Sequence, residues 1–289
     1  MKKQLLTLVC LSGLTAFGQT FTDNFDSYTA GQKLGPQSAG AWTTWSNAPG
    51  GNEDVAVSDA DAVSGSNSLY FSTSLQTGGP VDLVRNFGVL NTGRFDLDFN
   101  IKVETGKAGY FNLQRNAIIG QVWAMDCFFN DNGSLKINNQ NGLNFDGTYP
   151  QNQWFNFKLS IKYNTNNWEV FIDNNSIGSF SNPINQIASI DIFPTDQNAP
   201  YSCGYFIDDF HTVITPYTLP SINAAINGLS FDQGMLAGNA VTPKVVVRNL
   251  GTTPLTSFEL DVDYNGNNIH QNVTGLNLAS LATTTVTMT

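Results

Sequence analysis

The 289-residue chain carries 23 acidic against 13 basic residues, a net charge of −10, and only 12% of its residues are charged. Such a balance excludes a nucleic-acid binder built on basic patches. Asn, Thr, Ser and Gly supply the polar surface instead, a composition that fits a β-rich extracellular protein whose turns need Asn and Gly.

In chain order, two lysines precede the apolar run "LLTLVCLSGLTAF" (5–17), and Ala16-Phe17-Gly18 offers small residues for cleavage. This reads as a secretory signal peptide over 1–18, with the mature chain starting at Gln19 or Thr20. The run is too short to span a bilayer, which needs roughly 20 residues, and Val9 is too large for a lipoprotein motif at Cys10. The chain is therefore expected outside the cell or on its surface and not membrane-spanning. With Cys10 removed, Cys127 and Cys203 remain. In an oxidising compartment they could form a disulfide; the alternative is two small buried apolar residues.

From residue 67 onward strand patterns dominate. "NSLYFSTS" (67–74), "RFDLDFNIKVE" (94–104), "GYFNLQR" (109–115), "QVWAMDCFFN" (121–130) and "SLKINN" (134–139) alternate or run apolar. "WFNFKLSIKYN" (154–164), "WEVFID" (168–173), "SIGSF" (176–180), "IASIDIFP" (187–194) and "GYFIDDFHTVITPY" (204–217) follow. Asn- and Gly-rich turns such as "NDNG" (130–133) and "DNN" (173–175) separate them. The expected fold is all-β: a two-sheet antiparallel jelly-roll sandwich over 20–214. A Pro-punctuated linker (215–221) then leads to a smaller immunoglobulin-like sandwich over 222–289. The last strand, "ATTTVTMT", ends the sequence without a closing partner, so the second module reads as incomplete.

Two stretches place acids among aromatics: "TFTDNFDSYTAG" (20–31) and "GYFIDDF" (204–210). If the first and last strands are neighbours, Asp23 and Asp26 converge with Asp208 and Asp209. One structural calcium ion would relieve their repulsion, since it takes 6–8 oxygen ligands. The alternative is that the inward acid caps backbone amides. Strand alternation would send one of Asp208 and Asp209 inward and the other to solvent.

The ordered set "DNFDSYTAG", "GSNSLYFS", "WFNFKLSIKYNTNNWEVFIDNNSIGSF" and "GYFIDDF" resembles the concanavalin A-like, laminin-G-like jelly-roll modules of secreted bacterial proteins over 21–214. That resemblance implies two antiparallel sheets, one with a concave face, and a role in binding carbohydrate or protein or as a spacer. "PKVVVRNLGTTPLTSFELDVDYNG" (243–266) resembles the CARDB-like adhesion modules, and the pair of modules is similar to cargo of the type IX secretion system. The expected partners are thus a glycan or cell-surface protein and the secretion machinery.

An enzyme is not expected. Glycoside hydrolases of this fold need two carboxylates about 5–5.5 Å apart, commonly spaced as E-x-D-x-x-E; Glu53, Glu104 and Glu169 do not have that spacing. Asp96 and Asp98 share a face, but as polar positions of a half-solvated strand. His211 and His270 lie in different modules, and zinc-ligand clusters and phosphate loops are absent from the sequence. "DVDYNG" (261–266) begins like an EF-hand loop but has Asn272 where the bidentate Glu belongs. For ligand binding, Trp42 and Trp45 in the Gly-rich "GAWTTWSNAPGGNED" (40–54), with Asn47, and Tyr149 in "NFDGTYPQNQW" (144–154) are the candidate platforms; the alternative is that one of the two tryptophans plugs the end of the sandwich. Trp123, Trp154 and Trp168, lying in strands, are expected in the core.

Overall fold

The computed structural model describes residues 18–139, 142, 144–196, 198, 201–231, 242–264 and 267–288. The leader expectation, except Gly18, and Asn265-Gly266 of "DVDYNG" lie outside these residues. The chain divides into two compact units, the first ending at Tyr217 and the second starting at Thr218. That division falls within the stretch read as a linker.

The first unit contains β1 (Gln19–Asp23), β2 (Thr43–Thr44), β3 (Val57–Ser58), β4 (Ser68–Thr73), β5 (Leu83–Leu90), β6 (Arg94–Val103), β7 (Gly109–Gln114) and β8 (Trp123–Phe129). It continues with β9 (Ser134–Asn138), β10 (Asn144–Thr148), β11 (Phe155–Lys162), β12 (Asn167–Ile172), β13 (Asn175–Phe180), β14 (Ile187–Ile192) and β15 (Cys203–Thr215). They form two antiparallel sheets. The first runs β13-β12-β11-β6-β15-β4-β3, with β1 also on β15; the second runs β10-β9-β8-β7-β14-β5-β2.

Alternation explains the core. On β6, Phe95, Leu97, Phe99, Ile101 and Val103 all face inward, and their register partners on β11 include Ile161, Leu159, Phe157 and Phe155. The second sheet answers with Phe111 and Leu113 of β7, Cys127 and Phe129 of β8, and Ile190 and Ile192 of β14. Phe99 meets Phe111 edge-on at 5.4 Å. Burying each such side chain contributes roughly 1.5–3 kcal/mol. The hairpin at Asp173-Asn174 has both residues at positive φ (50° and 62°), as a type I′ turn requires.

The two remaining cysteines do not form a disulfide. Cys127 and Cys203 are free and buried. Cys127 sits inside the second sheet, opposite Phe111 and Ile137, whereas Cys203 opens β15 of the first sheet opposite Thr73. Burial pushes both thiols up, so neither is an activated nucleophile.

β1 does lie on β15, with Asp23 opposite Phe210. The four aspartates nevertheless serve three separate hydrogen-bonded sites. Asp23 accepts from the Phe25 amide (3.1 Å), the Tyr28 hydroxyl (2.8 Å) and Trp42 Nε1 (2.9 Å). Asp26 accepts from the Ser66 and Asn67 amides at 2.7 and 3.1 Å. Asp208 accepts from Val63 and Ser64 at 3.0 and 3.2 Å, and from the amide of Asp209. Asp209 takes the Ser64 hydroxyl and Asn100 Nδ2.

The inward-outward expectation for Asp208 and Asp209 is corrected as well. The β15–β6 register slips between Asp208 and His211, and Asp209 has φ +49°. That extra residue is a β-bulge, and it turns both carboxylates toward the same loop, 63–67. N–H and O–H donors occupy the positions from which a cation would be held. Among the described residues no three His, Cys, Asp or Glu side chains cluster as a metal site, so the set does not fit a shared calcium ion.

The second unit has β16 (Ala224–Ser230), β17 (Lys244–Asn249), β18 (Phe258–Tyr264), β19 (Asn267–Val273) and β20 (Thr283–Thr287). Sheet β16-β17-β20 and hairpin β18-β19 pack across Val245, Val247, Leu260, Val286 and Met288.

Two outcomes follow from the clamp on loop 63–67. Asp208→Ala leaves three amides without their acceptor and should destabilise the first unit by at least about 2 kcal/mol in urea melts. EDTA should leave the melting temperature of the wild-type chain unchanged; a drop, with calcium recovered by elemental analysis, would restore the metal.

Candidate functional site

The outer face of the second sheet is built by the residues that alternate with its core. Registers place them in rows. One row is Asn138, Asp126, Asn112, Asp191 and Val84 across β9, β8, β7, β14 and β5. The next holds Lys136, Phe128 and Tyr110. A third holds Trp123, Gln114, Ser189 and Asn86. Over these rows lies a cleft of about 910 Å³, within the size of small-ligand sites.

Aromatic rings wall it on two sides. Trp45 stacks on Trp123, centroids 6.2 Å apart and planes 29° apart. Phe193 and Tyr201 line the cleft from the loop after β14, and Tyr110 and Phe128 form the floor. Backbone contacts set both walls. Gly120 (φ +82°) lies against the Trp45 ring, where an added Cβ would sit 2.8 Å from Cζ2. Gly78 (φ +75°) packs on Phe193 so closely that no Cβ fits. Gln76, from the same loop, reaches the Tyr201 hydroxyl at 3.2 Å.

A directed hydrogen-bond chain crosses the floor. The Gly120 amide donates to Gln114 Oε1 (3.0 Å), Gln114 Nε2 to Asn112 Oδ1 (2.5 Å), and Asn112 Nδ2 to Asp191 Oδ2 (2.6 Å). The chain ends at a second carboxyl, because Asp82 lies within hydrogen-bonding reach of Asp191. Oδ1 of each acid is buried without an N–H or O–H donor. Two neighbouring carboxyls cannot both stay ionised cheaply at this depth. Burial, and then the neighbouring Asp191, push Asp82 up to about 10; burial raises Asp191 too. Burial and the neighbouring acid thus both favour a proton on the pair. Asp126, also raised by burial, accepts the Tyr110 hydroxyl at 2.6 Å.

Of the candidate platform residues named from sequence, only Trp45 lies in this cleft. Trp42 is 1% exposed; Asp23 takes its indole N–H, and Phe210 meets its ring at 4.9 Å. Tyr149 is 6% exposed, its hydroxyl spent on the Asn130 carbonyl. Neither can stack on a ligand. Asn47 is exposed and accepts from Thr43 Oγ1 at the turn that carries Trp45, outside the cleft lining. Trp168 is core, as its strand pattern suggests. Trp123 is not: it is partly exposed and stacks on Trp45 in the cleft lining. Trp154 is half-buried on the first sheet, its indole N–H on Asp61.

Asp82, Asn112 and Asp191 escape sequence reasoning. The available signal is the alternation of Asn112 and Gln114 in "GYFNLQ" and of Ser189 and Asp191 in "IASIDI", which puts amides and acids on one face.

No family model and no curated protein sequence matches the chain. Among solved structures, a sialidase superposes with a TM-score of 0.48 at 13% identity, over 68% of this chain and 18% of that one. The Caenorhabditis elegans galectin LEC-6 gives 0.35 at 12% identity, over 50% and 94%. The alginate lyase AlgAT5, of polysaccharide lyase family 7, gives 0.40 at 9% identity, over 57% and 82%. The chain spans less than a fifth of the sialidase's length.

Proposed function

We propose that the first unit is a non-catalytic glycan-binding module of an exported protein, with the cleft over the second sheet as its site. The observation that carries this reading is the pairing of the Trp45–Trp123 stack with Phe193 and Tyr201 across a floor of Asn112, Asp191 and Tyr110. Flat aromatic faces take the apolar faces of sugar rings. Amides and carboxyls between them take the hydroxyls, whose loss of water must be matched hydrogen bond for hydrogen bond. Export is supported by the charged-then-apolar opening of the sequence. The second unit serves as spacer or assembly element in this reading, consistent with the CARDB-like pattern of 243–266 and with carriage by a type IX system. Sequencing the N-terminus of protein recovered from medium should return Gln19 or Thr20; an uncleaved Met1 would refute export through this leader.

One observation favours hydrolysis instead. Asp126 and Asp191 share a row with only Asn112 between them, two strand spacings or about 9.6 Å apart along the sheet. That is close to the separation of an inverting pair. Against it, Asp191 is already tied to Asp82, and Asp126 to Tyr110.

The test is a glycan-array screen of residues 18–289, followed by titration of the best oligosaccharide. Trp45→Ala and Trp123→Ala should each weaken binding at least about tenfold, or 1.4 kcal/mol. Tyr149→Phe, remote from the cleft, should leave affinity unchanged. A blank array would favour a spacer role. Release of reducing ends, lost in Asp126→Asn, would establish the hydrolase.

A further inference from the structure

The cleft combines strong acidity with a buried oxygen that lacks a donor. Asp82, Asp191 and Asp196 line it, and among its described lining residues there is no lysine or arginine. Glu53 and Asp126 add negative potential at Asp191. Glu53 itself is held charged, below its ordinary range, by the Ser46 hydroxyl and amide.

The nearest candidate cations are engaged or set apart. Arg85 lies over the Phe21 ring, 3.1 Å from its centroid, and donates to the Ala41 carbonyl. Lys107 Nζ is on the Ser202 hydroxyl. Lys136 is exposed on β9, outside the lining. Asp196 spends its oxygens on the Asn198 and Ser202 amides. Asp191, 3% exposed, keeps Oδ1 free of any N–H or O–H donor, and Asp82 lies beside it.

An empty pair of carboxyls in this setting needs a proton. A ligand ammonium can replace that proton, because it offers three N–H donors and a full charge. Building on the glycan reading, we propose that the cleft selects glycans carrying a free amine, such as glucosamine oligomers, the ammonium lying between Asp82 and Asp191. The sugar's ammonium keeps its own proton. The proton shared by the two acids leaves for solvent, so one amine bound releases up to one proton. A uronate or sulfated glycan would bring its charge against Asp82, Asp191, Asp126 and Glu53 and is rejected.

The proton also sets the behaviour of the unliganded protein. The folded chain retains a proton at Asp82 that the unfolded chain loses above the ordinary 3.8. The stability of the first unit therefore falls as pH rises from about that value toward about 10. Tyr110, Asp126, Glu53 and Asp196 are the other titrating groups around the pair, from β7, β8 and the adjoining loops.

The experiment is calorimetry on the full chain at pH 6 with hexamers of glucosamine, N-acetylglucosamine, glucose and guluronate. Each is run in two buffers of different ionisation enthalpy. The glucosamine hexamer should bind at least tenfold more tightly than the N-acetylated one. Its apparent enthalpy alone should depend on buffer, with the sign of proton release. Asp82→Asn should abolish both effects, whereas Asp146→Asn, an exposed acid on β10, should abolish neither. Asp82→Asn should also flatten the fall of melting temperature between pH 5 and 9, which shows directly that the variant folds. Trp45-dependent binding of neutral hexamers with no gain for the amine overturns this inference and leaves the glycan reading standing. Equal loss in Asp146→Asn marks general charge attraction and overturns it as well. No binding of any hexamer overturns both.

Discussion

Five residues, 63–67, hold the two ends of the first unit together through their backbone amides. Val63 and Ser64 donate to Asp208 from the last strand, and Ser66 and Asn67 donate to Asp26 from the opening segment. Gly65 passes over Asp26 where a Cβ would collide with the carboxylate. Bare carboxylates at such depth would be prohibitive, and the amides make them tenable. The rest is built outward from this clamp. It fixes the bulge at Asp209 and so the inward turn of Phe210. Phe210 receives Trp42, whose N–H returns to Asp23 on β1. Trp42 in turn leads into β2, which docks on β5 and delivers Trp45 to the cleft, its amide on the Asp82 carbonyl.

The two acid sites make opposite uses of the same chemistry. At the clamp every carboxylate meets N–H donors. In the cleft Asp82 and Asp191 meet each other. A floor chain from Gly120 through Gln114 and Asn112 supplies only one oxygen of Asp191. Polar chains of this kind orient each member through the next. Here the chain leaves the other oxygen of Asp191 without a donor. Folding alone would be better served by an amide at Asp82, so the acid pair marks a place where local stability yields to some other requirement.

Period-2 alternation made most of the architecture legible. The strands around Phe99, Phe111, Phe157 and Ile190 could be placed from it, and Asn-rich turns marked the hairpins. β5, "LVRNFGVL", was missed because Gly88 interrupts it and its Arg and Asn blur the pattern. The bulge at Asp209 was invisible for a related reason: one added residue reverses the facing of everything after it, and no composition signals it. Site reading failed at Trp42 and Tyr149 because an aromatic ring in a Gly-rich loop looks the same whether it faces water or plugs the sandwich. At Cys127 and Cys203 it left two readings open, because a pair of cysteines says nothing of which sheet each strand joins; the buried, unpaired one holds. Trp123 went the other way: the register slip between Leu113 and Gln114 opposite it moves it out of the core. Asp82 and Asp191 are 109 positions apart, and only the β14–β5 pairing brings them together.

The glycines at the cleft have a consequence for what it can admit. Gly120 behind Trp45 and Gly78 behind Phe193 put main chain directly against each ring. Side chains usually leave slack that rotamer changes can take up; a backbone in contact with a ring does not. The gap between the two aromatic walls thus behaves as a fixed gauge, calibrated by loop geometry. Its width would change in steps, by loop length, and hardly at all by point substitution elsewhere on the lining.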